Sequence, residues 1–229
     1  MNSFASPQTL TALPFPARAD DLYSRLFDAI LEQRLTASSR FTEESLAQMF
    51  SARRSDIRGV LTHLSHQKII VLRPNHRPRV ATLDVEQTRQ TLHARRLTEM
   101  TLVRLACRQP RAQDLNRLCA LIDSERSCTA RGPAIRLSGE FHLQLAEMAG
   151  NAPLAHFLGS LVPLTSLAIA QFDAQVEGDC GWQLHQGVLE AVERGDSVMA
   201  ETLLSQHLDH LEETLLNSGS RSSLNRVAG

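Results

Sequence analysis

The feature that most constrains how this chain folds is a change of hydrophobic period within its first 83 residues. From about 20 to 67, apolar residues recur every three or four positions, which is the spacing of amphipathic helices. The next apolar segments, 69–72 and 80–83, are short, and the stretch 73–79 between them is rich in turn-forming residues. The pattern therefore predicts helices followed by a β-hairpin.

The helical region divides into three segments. Leu26 and Ile30 mark the apolar face of a first helix over about 20–34. Thr42 followed by two glutamates is typical of a second helix start, because the hydroxyl caps free N–H groups and the acids suit the positive end of the helix dipole. A third helix is predicted over about 55–67. Three helices and a hairpin in this order predict a winged helix-turn-helix.

This arrangement places the third helix in the major groove of DNA, where its first residues meet base edges. Arg54 and Arg58 are four positions apart and point from one face of that helix, and a guanidinium can fork onto guanine or phosphate. Ser55 is expected to cap the helix or to donate to a phosphate. An arginine-rich solvated face is the alternative, which the order of elements disfavours. The predicted DNA contacts are Arg53, Arg54, Ser55, Arg58, His76, Arg77 and Arg79.

The charge distribution is consistent with this interpretation. Residues 1–83 contain eleven Lys and Arg against seven Asp and Glu, whereas the remainder contains thirteen against eighteen. A basic front half on an acidic back half is expected when only the front half meets a polyanion. The excess is modest, so charge alone does not decide the function.

The remainder of the chain predicts a helical domain with no convincing strand. Gly150-Asn151 and Gly195-Asp196 are breaks with helix-stop and helix-start chemistry. Six helices are expected, at about 84–107, 111–129, 133–149, 152–174, 180–194 and 196–217. The predicted organisation is a flexible tail over 1–18, a winged helix-turn-helix domain over 19–83, a helical bundle over 84–217 and a second flexible tail over 218–229. The expected fold class is therefore mainly α.

Two further patterns concern the compartment of the protein. No uninterrupted apolar run reaches the ~18 residues that a membrane span needs. The stretch 1–16 lacks a basic region followed by an apolar core, so no secretory signal is indicated. A cytoplasmic protein without membrane contact is expected.

Several segments in order resemble a known family. The segments 22–30, 42–47, 54–58 and 72–75 resemble the DNA-binding domain of GntR-type regulators. The segments 95–99, 141–142, 149–151 and 185–196 resemble the effector-binding FCD domain of the FadR branch of that family. The resemblance covers about 20–217 and implies a homodimeric transcriptional regulator, not an enzyme, that binds a palindromic operator. It also implies control by a small-molecule effector, with a carboxylate favoured.

The resemblance further implies a metal in the bundle. The family pattern places an aspartate one turn before a histidine and adds two histidines on later helices, which fall here on His142, His185 and His207. Ser138 stands at the aspartate position, and Glu140 cannot replace it because two residues along a helix turn it to nearly the opposite face. Three imidazoles still suit a divalent transition metal such as Zn²⁺ or Ni²⁺. Polar core residues with no metal are the alternative.

Arg95 and Ser138 are the predicted effector contacts. Arg95 matches the family position that meets the effector carboxylate, although an i, i+4 surface pair with Glu99 is the alternative. Two departures concern the DNA side, since Asp56 stands where relatives carry proline and Arg77 where they carry glycine. Both indicate an atypical operator or wing contact.

Two other functions stay open from the sequence. One is a regulator that has lost its metal and uses the bundle for dimerisation or for an uncharged ligand. The other is a zinc hydrolase, since three histidines and a water form a catalytic arrangement. The hydrolase interpretation lacks a recognisable general base and leaves the front domain unexplained.

Overall fold

The computed structural model describes residues 17–172 and 181–227, and the side chains of 21–172 and 181–217 within them. Residues 1–16 of the predicted N-terminal tail lie outside the described residues. The described elements are α1 Ala17–Leu31, α2 Glu43–Phe50, α3 Arg54–His66, β1 Ile70–Val71, β2 Arg79–Val80, α4 Val85–Ala106, α5 Ala112–Ser127, α6 Arg131–Met148, α7 Ala152–Gln171, α8 Gly181–Glu193 and α9 Ser197–Val227. The predicted mainly α fold, a winged helix-turn-helix followed by a helical bundle, is confirmed.

The start and end of α2 explain the helix-turn-helix geometry. The Thr42 hydroxyl accepts a hydrogen bond from the Ser45 backbone N–H at 3.1 Å, and the Ser45 side chain returns to the Thr42 backbone, forming a capping box. Ser51 ends the helix in the left-handed conformation with φ of 52°, which allows the chain to turn within a few residues into α3. The short turn places α3 against α2.

The hairpin that follows is brief. β1 and β2 pair antiparallel with Ile70 opposite Val80 and Val71 opposite Arg79. Asn75, in the connecting turn, has a φ of 60°, a conformation that asparagine tolerates better than most residues. The turn therefore takes its left-handed residue at 75 and does not require glycine at position 77.

One hydrophobic cluster extends across both domains. Ile57 and Leu61 of α3 are buried against Ile30 of α1 in a cluster that also contains Leu164 and Leu167 of α7. Apolar residues at helical spacing thus form the interior of the winged helix and also its packing contact with the bundle. The DNA-binding domain is docked directly on the bundle.

Polar contacts fix this docking. Arg136 of α6 donates to both carboxylate oxygens of Asp28 in α1, at 2.7 and 3.2 Å. The amide of Gln171 accepts from the Leu83 N–H at 3.1 Å and donates to the Ala81 carbonyl at 2.5 Å, which holds the start of the interdomain connection. Gly132 lets α6 approach α1 closely, because a Cβ there would lie 2.8 Å from the Asp28 carbonyl oxygen.

The bundle is interrupted at the two predicted breaks. Gly150 and Gly195 both have a φ of 71°, the left-handed conformation that ends a helix. Asn151 caps α7 by accepting from the Leu154 N–H at 3.3 Å, as expected of a residue that fixes the turn between helices. The last helix, α9, runs to Val227, so the predicted helix end at about 217 is wrong, while the flexible tail over 218–229 stays a prediction.

One described helix, α7, is long and apolar enough to cross a membrane by length and composition alone. Its mean hydropathy is 1.5, and half of the stretch is buried inside the protein. A central core helix has the same composition, so this is weak support for a membrane span.

Candidate DNA interface and candidate metal centre

The arginines predicted to contact DNA lie on the outer face of the helix-turn-helix. The apolar residues of α3, such as Ile57 and Leu61, are buried, which turns the opposite side of the helix to solvent. The side chains of Arg54 and Arg58 are 61% and 66% exposed. Arg53 is the exposed N-cap residue of α3. These cations are accessible to a polyanion.

Ser55 does not cap α3, and that part of the prediction is wrong. The helix begins one residue earlier than expected, so the cap position falls on Arg53, which makes no side-chain cap hydrogen bond. The Ser55 hydroxyl instead donates to the carboxylate of Asp56 at 3.2 Å. Both side chains are exposed at the start of the helix.

Glu43, at the first position of α2, holds the arginines of α3. Its two carboxylate oxygens accept from Nε and Nη2 of Arg58 at 2.9 and 2.8 Å, and one of them lies 3.6 Å from Nη2 of Arg54. The hydrogen bond from Arg58 lowers the pKa of Glu43 below its usual range. Sequence reasoning gave Glu43 only a role at the helix dipole, because a contact across 15 residues depends on how α2 and α3 pack.

The wing places its basic residues at the surface. His76, Arg77 and Arg79 are all exposed. The His76 ring contacts the Pro74 carbonyl through Nδ1 at 2.8 Å, which orients the ring along the turn. The cationic wing and the α3 arginines belong to the same small domain.

The three predicted histidines come together in the bundle. His142 of α6, His185 of α8 and His207 of α9 each offer a nitrogen, and these atoms lie within 4.8 Å of one another. The centroids of the three rings are 5.1 to 5.2 Å apart. His142 and His185 are buried, and Phe141 stacks on His185 with a centroid distance of 4.1 Å. Three helices therefore converge on one point.

Two carboxylates bind the buried imidazoles at Nδ1, away from the unpaired Nε2 atoms. Nδ1 of His142 lies 2.7 Å from Oε2 of Glu99, and Nδ1 of His185 lies 2.7 Å from Oε2 of Glu125. Nε2 of each of these two rings is buried and has no hydrogen-bond partner among the described residues. A neutral imidazole that donates from Nδ1 to a carboxylate keeps its lone pair on Nε2. Two unpaired lone pairs beside a third imidazole fit a metal ion.

Arg95 forms the next layer. Its Nε donates to Oε1 of Glu99, and both side chains are only 3% exposed. The expected i, i+4 pair therefore exists, but the alternative of a surface pair is wrong because α4 is covered by other helices on this side. The carboxyl of Glu99 consequently bridges Arg95 and His142.

Burial and charge set the protonation of this layer. Burial raises the pKa of Glu99, but the charges of Arg95 and of His142 outweigh burial and lower that pKa to about 2. Burial lowers the pKa of His142 to about 4 and also lowers that of His207. At neutral pH, Glu99 is thus ionised and His142 is neutral, which is the protonation state that metal binding requires.

At the position where the family pattern predicts aspartate, this chain has the short side chain of Ser138. Ser138 is half-buried on α6, one turn before His142. Glu140 is committed elsewhere, since Arg136 donates to its carboxylate at 2.7 Å. Glu140 therefore lies on the side of α6 that carries the contact with α1, in agreement with the expectation that it does not replace the aspartate.

Sequence reasoning missed two members of this centre. Glu99 was considered only as a surface partner of Arg95, and Glu125 was not considered. Glu125 lies 60 residues before His185, and no spacing rule connects residues on two separate helices.

Comparison with known proteins agrees with this architecture. Residues 90–210 match the FCD domain. The HTH-type transcriptional regulator LutR of Bacillus subtilis (strain 168) is 23% identical over 194 residues, covering 75% of this chain and 89% of LutR.

Two solved structures show the same fold. E. coli McbR/YncC has a TM-score of 0.70 at 15% identity and covers 89% of this chain and 99% of that one. A transcriptional regulator GntR from Rhodococcus sp. RHA1 has a TM-score of 0.68 at 17% identity, covering 88% of this chain and 99% of the other. Both likenesses extend over the winged helix and the bundle.

Proposed function

This chain belongs to the FCD-domain family and is a GntR-type transcriptional regulator, and from this premise we propose that a small carboxylate, bound beside a metal in the bundle, controls its affinity for operator DNA. The observation that carries the proposal is the buried three-histidine cluster with two unpaired Nε2 atoms. A buried polar atom without a partner is costly, so a site of this kind calls for a ligand. The exposed arginines of α3 supply the DNA contact.

On the DNA side, we assign base and phosphate contact to the first turns of α3 and to the wing. Arg54 and Arg58 are exposed on the outer face of α3, where a helix-turn-helix meets the major groove. Replacing Arg54 with alanine is expected to abolish specific retention of operator DNA. Retention at the wild-type level would contradict this assignment.

On the bundle side, His142, His185 and His207 would hold a divalent transition metal, with Zn²⁺ and Ni²⁺ the best matches to an all-imidazole set. Bound there, the ion would supply a Lewis acid for a carboxylate oxygen of the effector. Glu99 and Glu125 orient the imidazoles by accepting from Nδ1. The short side chain of Ser138, in place of a carboxylate ligand, leaves room for the effector's own carboxylate.

Arg95 takes an indirect role in this proposal. Its Nε donor is already bound to Glu99, so Arg95 secures the carboxylate that orients His142. Direct contact with an effector would use the remaining N–H groups of the guanidinium. Because Glu99 neutralises Arg95, the positive charge that favours an anionic ligand would come mainly from the metal.

Coupling to DNA would run through α6 and the dimer. The first half of α6 contains Arg136, which binds Asp28 of the DNA-binding domain. The second half contains His142. We propose a homodimer in which the effector binds one arrangement better than the other, and this difference in affinity shifts the population. Half-sites lie about 34 Å apart, so a small change in the spacing of two recognition helices weakens binding.

The test begins with the metal content of untagged protein, with His142→Ala as the paired control. We expect about one divalent ion per chain in the wild type and its loss in the variant. Operator affinity is then measured with the metal-loaded protein against a panel of small carboxylates, and at least one is expected to change it. An absence of metal after incubation with Zn²⁺ and Ni²⁺ would favour the metal-free alternative, in which the bundle serves dimerisation or an uncharged ligand.

A further inference from the structure

Glu43 bridges the two arginines assigned to DNA contact. Its carboxylate accepts from Nε and Nη2 of Arg58 at 2.9 and 2.8 Å, and it lies 3.6 Å from Nη2 of Arg54. The fork occupies the side edge of the Arg58 guanidinium, which is the edge formed by Nε and Nη2. A negative charge therefore stands at the centre of the surface assigned to a polyanion.

The edge that remains outside this fork is suited to base contact. A guanidinium carries five N–H donors, so two parallel hydrogen bonds at the side edge leave the end edge, formed by Nη1 and Nη2, with donors outside the ion pair. Guanine offers O6 and N7 to such a pair of donors in the major groove. The Arg58 side chain is 66% exposed, so this end edge is open to a ligand.

The fold itself has little need for the bridge. Leu46 and Phe50 of α2 and Ile57 and Leu61 of α3 are buried in one cluster and hold the two helices together. Ion pairs between exposed side chains contribute little to stability, because solvent screens them. An acid at this surface also repels phosphates and lowers affinity for any DNA. The bridge is therefore useful only if DNA recognition depends on the orientation of the Arg58 guanidinium.

We propose that Glu43 is a positioning residue that fixes the Arg58 guanidinium for reading a guanine and thereby determines sequence discrimination. The proposal rests on operator binding through α3. An arginine held before DNA arrives has fewer conformations to lose on binding. The same carboxylate penalises sequences that offer Arg58 no base acceptor, since its repulsion of the phosphates is then uncompensated. Glu43 thus lowers nonspecific affinity and raises specificity.

The experiment uses the full-length protein and a random double-stranded DNA library from which the wild type selects its preferred sequence. Dissociation constants are then measured for the selected duplex, for each single base-pair variant of it, and for an unrelated duplex of equal length. The variants are Glu43→Gln, Glu43→Asp, Arg58→Ala and the matched control Glu44→Gln. Glu44 is the next residue of α2, is exposed and lies in the same first turn, but outside the bridge.

We expect Glu43→Gln to lose about tenfold in discrimination at the base pair where Arg58→Ala loses it, which is the size expected of one bidentate base contact. Its affinity for the unrelated duplex rises, because a negative charge is removed. Glu44→Gln raises affinity for both duplexes alike and keeps their ratio. Glu43→Asp keeps the charge but shortens the reach, so it loses discrimination without gaining nonspecific affinity.

Two results separate the failure of this proposal from that of operator binding. If Glu43→Gln and Glu43→Asp both keep the wild-type ratio at every base pair, Glu43 does not position Arg58 and the proposal is overturned, although operator binding stands. If the wild type selects no sequence at all, operator binding through α3 is overturned and the proposal with it. Melting temperatures equal to that of Glu44→Gln establish that the Glu43 variants are folded.

Discussion

Two arginine–glutamate pairs in this protein have the same chemical groups and opposite surroundings. Arg58 and Glu43 join α3 to α2 on the outer face of the DNA-binding domain, where the arginine is 66% exposed. Arg95 and Glu99 join two turns of α4 inside the bundle, where both side chains are 3% exposed. The exposed arginine has donors that open to solvent, whereas the buried pair is enclosed with His142.

The difference indicates what each pair can do. Water screens the exposed pair, so the fold depends little on it, and the outer edge of Arg58 stays open to a ligand. The buried pair has no water to replace either partner, so breaking it leaves an uncompensated charge in the interior. The first pair is suited to recognition and the second to holding a histidine in one orientation.

The largest contrast is expected in stability. Glu99→Gln leaves the charge of Arg95 buried without its partner, and removal of one member of a buried pair destabilises proteins by about 3–5 kcal/mol. Urea denaturation of the metal-free protein measures this loss. The matched control is Glu86→Gln, which removes an exposed glutamate that forks onto Arg89 on the same helix, and it is expected to leave the denaturation midpoint unchanged. Equal midpoints for both variants would contradict the distinction between the pairs.

The sequence predicted the helices better than it predicted this contrast. Helix positions follow from the 3.6-residue period, which is a local property. The breaks follow from Gly150 and Gly195, because glycine readily adopts the left-handed conformation that both residues have in the structure. The spacing of Arg95 and Glu99 also predicted their pairing. Their burial could not be predicted, because it depends on the helices that pack over α4. Glu125 is beyond local rules for the same reason.

The next contrast is in pH dependence. The pKa of His142 is about 4 in the folded protein and 6.5 in the unfolded chain, so the unfolded chain binds the proton first as the pH falls. The free energy of unfolding of the metal-free protein therefore decreases between pH 6.5 and 4, by up to about 3 kcal/mol from this residue. The lowered pKa of His207 acts in the same direction. Urea denaturation at several pH values measures the slope.

His142→Gln separates this effect from the carboxylates. The variant removes one titrating imidazole and is expected to flatten the slope between pH 6.5 and 4.5. Glu99, whose pKa falls from 4.5 to about 2 on folding, contributes only below that window, as does Glu43 with its lowered pKa. A wild-type slope that persists unchanged in the variant would contradict the assignment to His142.

A smaller effect is expected at the second carboxylate of the centre. Glu125→Gln keeps the size of the side chain but removes the charge that orients His185 through Nδ1. Loss of such a partner lowers metal affinity by about 10–100-fold. Competition with a chelator measures Zn²⁺ and Ni²⁺ affinity, and Glu190→Gln, at an exposed position of α8, is the control. Affinities equal to the wild type would mean that Glu125 does not support the site.

The smallest effect is expected in the salt dependence of DNA affinity. It is tested by replacing two arginines that bind a glutamate in nearly the same geometry. Arg58 and Arg89 each bind a glutamate through Nε and Nη2, with donor–acceptor distances of 2.7 to 2.9 Å, but only Arg58 lies on α3. On nonspecific DNA no matched guanine occupies the end edge of Arg58, so this edge meets phosphate and a counterion is released. Arg58→Ala should therefore reduce the slope of log affinity against log salt for nonspecific DNA by about one per DNA-binding domain. Arg89→Ala should leave the slope unchanged, because α4 lies outside the DNA-binding domain. Equal slopes for both variants would mean that the fork with Glu43 keeps Arg58 away from the phosphates, and its role would then be confined to the bases.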